Sequence, residues 1–104
     1  MLISTTPNIE GKKIVRTLGL VRGNTIRARW FGRDIAAGLK HLVGGEIKSY
    51  TTMLSHAREE ALNRMVKEAE KLGANAVVSI RFTTSMVMGG AAEILVYGTA
   101  VVIE

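Results

Sequence analysis

Apolar and polar positions change period once, sharply, within the stretch Ala57–Phe82, AREEALNRMVKEAEKLGANAVVSIRF. Leu54, Ala57, Ala61, Met65, Ala69 and Leu72 recur at three- and four-residue spacing, and Leu62 and Val66 widen the same stripe. That is one face of an amphipathic helix. Arg58, Glu59, Glu60, Arg64, Lys67, Glu68, Glu70 and Lys71 fill the opposite face, where Glu60/Arg64 and Arg64/Glu68 stand one helical turn apart and can pair. Gly73 follows where the helix needs a left-handed C-cap, a conformation cheap only without a Cβ. From Ala76 the period becomes two: Ala76, Val78, Ile80 and Phe82 alternate with Val77, Ser79, Arg81 and Thr83, as in a strand.

The same reading carries through the rest of the chain. Leu2 to Thr5 is a short opening strand stopped by Pro7 and Asn8. Lys12 to Arg22 is extended, with apolar side chains on both faces, so it is expected to be largely covered. Gly19 inside it marks a bulge or a close backbone approach. Gly23-Asn24 reads as a turn before a further strand, Thr25 to Trp30. Phe31-Gly32-Arg33-Asp34 opens a first helix with Asp34 at its cap or in its first turn, Ile35, Leu39, Leu42 and Val43 form its stripe, Gly38 marks a place for close packing or a ligand, and Gly44-Gly45 ends it. Glu46 to Tyr50 is a connection, and Ser49, Thr51 or Thr52 is positioned to cap the long helix. The strand from Ala76 reaches Met88, Gly89-Gly90 signals a hairpin, and Ala91 to Ile103 returns. In this last strand Leu95, Tyr97, Val101 and Ile103 share one face and Ile94, Val96, Ala100 and Val102 the other, which fits a central strand or one buried by a neighbouring subunit. The expectation is an α+β fold, a mostly antiparallel sheet with two helices packed on one face, as a single domain over residues 1–104.

Composition narrows this further. Hydrophobic residues are 47% of the chain but aromatics only 5%, so the core is aliphatic. That is a large apolar load for 104 residues, and burying part of it against another copy points to an oligomer. Cysteine is absent, which excludes disulfides, thiolate metal sites and cysteine nucleophiles. The first residues lack the basic end and apolar run of a signal peptide, and no run approaches the roughly 18 residues of a membrane span. A cytoplasmic protein without a membrane partner is expected. The net charge of +5 lies in the first half: residues 1–50 hold nine Lys or Arg against three acids, and residues 51–104 five against six.

Candidate chemistry is sparse. A heavy-metal site needs several converging soft or borderline ligands. The chain offers His41, His56, Met53, Met65, Met86 and Met88. The two histidines follow no ligand spacing. Met86 and Met88, two thioethers on one strand face that would need a third ligand to hold a soft ion, read instead as a continuation of the buried face of Val78, Ile80 and Phe82. Asp34, Glu46, Glu93 and Tyr97 with Arg33, Arg58 or Arg81 form no paired-carboxylate site, nucleophile elbow or phosphate loop, and Arg81 and Glu93 read as partners across the hairpin. The expectation is a protein that is not an enzyme, and no cofactor is indicated. Arg27-Ala28-Arg29-Trp30 and Arg33 set cations beside an aromatic, which makes nucleic-acid binding by the basic half the alternative.

Ordered stretches along the whole chain carry a resemblance. They are Ser4-Thr5-Thr6-Pro7, Leu18-Gly19-Leu20-Val21-Arg22-Gly23, Arg33-Asp34-Ile35-Ala36-Ala37-Gly38-Leu39, Leu42-Val43-Gly44-Gly45-Glu46, Tyr50 and Ala57-Arg58-Glu59. Leu72-Gly73-Ala74-Asn75-Ala76-Val77-Val78, Arg81-Phe82 and Tyr97-Gly98-Thr99-Ala100-Val101-Val102 complete the set. In these the chain resembles the YbjQ family, a group labelled heavy-metal-binding. The resemblance implies a small α+β subunit assembled into a ring, a homopentamer, and implies no reaction. Thr5, Thr6, Arg33, Asp34, Tyr50 and Arg58 belong to these stretches yet are poor core formers. They are the candidate ligand-binding residues, gathered at subunit junctions for a small ligand or a metal ion.

Overall fold

A computed structural model describes residues 1–28, 45–86 and 91–104, and the side chains of all of these except residues 28 and 45–50. The described chain runs β1 (Leu2–Ile3), β2 (Ile14–Ala28), α1 (Gly45–Lys71), β3 (Ala76–Met86) and β4 (Ala91–Ile103). The strands form one sheet in the order β1-β3-β4-β2. β4 pairs antiparallel with β2 and with β3, while β1 lies parallel to β3. The α+β class holds, but the sheet is mixed. Parallel neighbours need a long crossover, and β2 and α1 lie within the one that joins β1 to β3. Of the two expected helices, α1 is the one within the described residues; the helix expected from Phe31 to Gly44 lies outside them, as does the Gly89-Gly90 turn.

Three local readings change. Gly23-Asn24 is no turn: β2 runs straight through it, with Gly23 opposite Val96 and Asn24 opposite Leu95. Glu46 to Tyr50, with Ser49, Thr51 and Thr52, lies inside α1 and not ahead of it, so none of these residues caps the helix. Among the described residues β2 is an edge strand. Its inner face is buried at Val21, Gly23 and Thr25, while Leu20 and Ile26 on its other face are 66% and 60% exposed. Gly19 does mark a bulge, with φ +122 and a register shift between Thr17 and Gly19.

A second bulge inverts the alternation expected in β3. Ser79 takes φ +55 where the register shifts between Val78 and Arg81, and one extra residue moves the following side chains to the opposite face. Val77 and Ile80 therefore share the core under α1, while Ala76 and Val78 join Val101 and Ile103 on the other side, covered by Ile9 and Ile14. α1 lies chiefly across β2 and β4. Beyond Ile80, β3 is exposed throughout, so Met86, 66% exposed, does not continue a buried face. β4, between β2 and β3, has the two-sided apolar character expected of a central strand.

The contact between α1 and β2 is unusually close. Ala57, Ala61, Met65 and Ala69 are fully buried along the helix stripe, and the small residues let the backbones approach. A Cβ on Gly23 would stand 2.2 Å from the Ala61 carbonyl oxygen and 2.6 Å from the Met65 nitrogen. One residue pair further on, the buried Thr25 hydroxyl donates to the Ala57 carbonyl at 3.1 Å, so the tight interface strands no polar group. At the other end α1 stops as expected. Gly73 has φ +87, its N–H donates to the Glu70 carbonyl at 3.0 Å, and the Ala74 N–H donates to that of Ala69 at 3.1 Å, the paired bonds of a Schellman cap.

Asn75 then ties the turn to the sheet. Its side-chain Nδ2 donates to the Ile103 carbonyl at 2.9 Å and its Oδ1 accepts from the Ile103 N–H at 2.7 Å, so the amide serves β4 as a neighbouring strand would. The two glycines give a ranked prediction. Gly23→Ala forces a methyl group into helix backbone that cannot yield, and lowers stability by about 3 kcal/mol or more. Gly73→Ala meets open space and bears only the left-handed penalty, about 1–2 kcal/mol. Urea midpoints of the two variants should fall in that order.

Candidate functional site

The segment after β1 is organised by its own hydroxyls. The Thr6 hydroxyl donates to the Asn8 carbonyl at 2.5 Å, so the 2.6 Å contact between the Ser4 and Thr6 hydroxyls has Ser4 as donor. Ser4 Oγ in turn accepts the Thr6 N–H at 3.0 Å. The backbone of this segment continues along β3 past the bulge: Ser79 N–H donates to the Thr6 carbonyl at 3.0 Å and Ile80 N–H to that of Ser4 at 3.1 Å. Arg81 Nη1 donates to the carbonyls of Thr5 and Ile80 at 2.9 and 2.8 Å. Thr5 keeps an exposed side chain next to a fixed guanidinium.

The sheet extends that charge sideways. Arg81 of β3 stands opposite Tyr97 of β4, and Tyr97 opposite Arg22 of β2, on the face that α1 does not cover. Arg22 also lines an open cleft of about 480 Å³ along the β2 edge, with Leu20, Asn24, Glu68 and Leu72. Spacing in sequence hides this row, because its members lie on three strands. Only strand register brings it together.

A second polar cluster rims the contact of α1 with β2. Arg27 forms an ion pair with Glu60, Glu60 also meets Arg64 at 3.1 Å, and Arg64 Nη1 donates to the Asn24 carbonyl at 2.6 Å. The hydrogen bond from Arg27 holds the Glu60 carboxyl below its ordinary value of 4.5; partial desolvation opposes this, and the charges of Arg27 and Arg64 reinforce it. Arg27 is thus committed to the helix, which removes one of the two strand arginines from the basic motif expected near Trp30; Arg29, Trp30 and Arg33 lie outside the described residues. Arg81 and Glu93 are not hairpin partners. Glu93 faces Ser85 in register and accepts from Asn24 Nδ2 at 3.3 Å.

Of the six candidate ligand residues, Thr5 and Thr6 lie together beside β3, and Arg58 is exposed on α1. Among the described residues no hydrogen bond or ion pair joins Arg58 to them. Arg33 and Asp34 lie outside the described residues, and Tyr50 is in α1 with its side chain outside them.

Comparison with known proteins places this fold. A family model described as "Putative heavy-metal-binding", that of the YbjQ family, matches residues 1–104. The chain belongs to the YbjQ family. A UPF0145 protein of Methanosarcina acetivorans is 61% identical over 101 residues, covering 97% of this chain and 95% of the relative. One from Archaeoglobus fulgidus is 60% identical, covering 97% and 94%, and UPF0145 protein CD630_17110 of Clostridioides difficile is 59% identical over 104 residues, covering 100% and 93%. A crystal structure from Pediococcus pentosaceus, a protein of unknown function in the DUF74 family, matches with TM-score 0.69 at 18% identity, covering 100% of this chain and 98% of that one. It supports the α+β fold. The relatives' printed names state no reaction.

The family's metal description can be tested against the side chains. Among the described residues no group of three or more His, Cys, Asp or Glu could hold a metal ion. Met65 is sealed in the aliphatic core and His56 is exposed on α1. The described donors of one chain do not fit a heavy-metal site. No helix among the described residues is long and apolar enough to cross a membrane.

Glu60 supplies a pH prediction. Its carboxyl is depressed in the fold, so the unfolded chain binds more protons between the two values and stability rises with pH across that window. The contribution is full above about 4.5 and lost as pH falls through the folded value. Glu60→Gln should flatten the acid limb of a stability profile below that point, with little change in its slope near neutrality.

Proposed function

We propose that the chain is the subunit of a closed homo-oligomer, a pentameric ring, that binds a small anionic ligand at subunit junctions and performs no chemistry of its own. The observation that carries this reading is the open edge of β2. β2 is 15 residues long, and among the described residues no strand pairs with its second edge. An unprotected edge of that length templates pairing with another chain. Leu20 and Leu72, 66% and 47% exposed, flank the cleft beside it and offer an apolar seat for a neighbour.

Shape agrees. The chain measures 55 × 22 × 16 Å with a radius of gyration of 17.3 Å, against about 13 Å for a compact chain of similar length. Such a body leaves much apolar surface open unless copies share it. A strand added along β2 would bring a neighbour next to Arg22 and Asn24 in the cleft. Polar side chains and free amides would then meet between subunits, where Thr5, Thr6, Arg33, Asp34, Tyr50 and Arg58 are proposed to contribute. A metal ion there would need ligands beyond the described donors of one chain.

Native mass spectrometry of the untagged protein tests the assembly directly. Five copies of the 11.3 kDa chain are expected, and a monomer would overturn the proposal. Leu20→Lys with Leu72→Lys, both changes at exposed positions, should release folded monomers, whereas Arg58→Ala should leave the ring intact and remove any bound adduct.

A further inference from the structure

The sheet face opposite α1 carries a row of side chains whose polar groups the fold uses only in part. Register aligns Arg22, Tyr97 and Arg81 on three adjacent strands. Directly paired residues project to the same face at roughly 5 Å spacing, so the backbone positions of the two arginines flank that of the tyrosine across about 10 Å. Arg22 is exposed and has no hydrogen-bond or ion-pair partner among the described residues. Arg81 uses only Nη1 in its bonds to Thr5 and Ile80. Those carbonyls fix the guanidinium without cancelling its charge and leave the Nη2 and Nε donors for another acceptor. Tyr97 is 38% exposed.

We infer that this row is a platform for single-stranded nucleic acid, with a base stacked on Tyr97 and phosphates held by Arg22 and Arg81. Aromatic side chains on an open sheet face stack bases without regard to sequence, and flanking arginines track the backbone. The next row along the strands is Asn24, Leu95 and Thr83, roughly 7 Å on, an apolar centre with polar edges for a second base. Glu93, held by Asn24, stands one row further. It repels phosphate and can accept an exocyclic amino group, which gives the platform a direction. A mononucleotide site is normally an enclosed pocket, whereas this face is open, and duplex bases are stacked out of reach of Tyr97. The net charge of +5 and pI near 10.0 favour the approach of a polyanion. The platform goes beyond the junction site proposed above: Arg22 and Asn24 stand where the two meet, while Tyr97 and Arg81 lie on the strands inward of the β2 edge.

Fluorescence anisotropy with labelled single-stranded RNA and DNA of about ten nucleotides, on the assembled full-length protein, tests the platform. Binding should weaken steeply between about 50 and 200 mM salt. Arg22→Gln should lose about tenfold in affinity and reduce the salt slope by about 0.7. Tyr97→Leu should lose about tenfold with the slope unchanged, and Tyr97→Phe should bind normally. Lys67→Gln, an equal charge loss on the exposed face of α1, should stay within about twofold. Absence of binding at about 50 mM salt overturns the proposal. So does equal weakening by Lys67→Gln, equal displacement by duplex DNA or a mononucleotide, or a change in assembly mass in Tyr97→Leu.

Discussion

The structure depends on the close approach of α1 to β2 at Gly23. Helix backbone occupies the space where a Cβ would project, 2.2 Å from the Ala61 carbonyl oxygen. Around that point everything is graded to fit. Ala57, Ala61 and Ala69 keep the helix near, Met65 fills what remains, and Thr25 satisfies its hydroxyl on the Ala57 carbonyl. At such spacing a small core becomes dense, which a chain with few aromatics needs. The Arg27, Glu60, Arg64 cluster closes the rim of the same contact, and being part-exposed it adds modestly to stability while orienting the helix.

That contact also decides which surfaces are left over. With α1 committed to β2 and β4, the outer half of β3 is exposed, and among the described residues Ile9 and Ile14 cover the opposite face of the sheet at the second core. The remainder of that face holds Arg22, Tyr97 and Arg81, and beside it lies the edge of β2 that no described strand pairs. The proposed assembly and the proposed recognition therefore draw on neighbouring features, an edge of backbone in one case and a face of side chains in the other.

Bulges set the details. At Ser79 a single residue in the left-handed region moves Ile80 under the helix and turns Arg81 toward Thr5 and Tyr97. Read by strict alternation, Ile80 belongs with Val78, and Arg81 belongs to the face under the helix. The bulge reverses both assignments. The segment from Ser4 to Asn8 is fitted to it, since its carbonyls receive the N–H groups of Ser79 and Ile80. Hydroxyls that look available for a ligand in sequence are thus partly committed: Thr6 bonds the Asn8 carbonyl, and Thr5 retains its side chain.

What the sequence determined by itself was local. The 3.6-residue stripe from Leu54 to Ala69, the glycine stop at Gly73 and the two-sided apolar character of Ala91–Ile103 each follow from chemistry within one element, so each is legible in order along the chain, though Leu72, read as the end of the stripe, lies exposed beyond the helix. The tertiary structure decided whatever required two elements at once. Gly23 reads as a turn until a helix lies against it, and β2 reads as covered until the sheet order makes it an edge. Arg27 looks free for a phosphate until Glu60 takes it. The row of Arg22, Tyr97 and Arg81 spans positions far apart in the chain, and the hydrogen-bond register that aligns them is a property of paired backbones, which no single stretch of sequence contains.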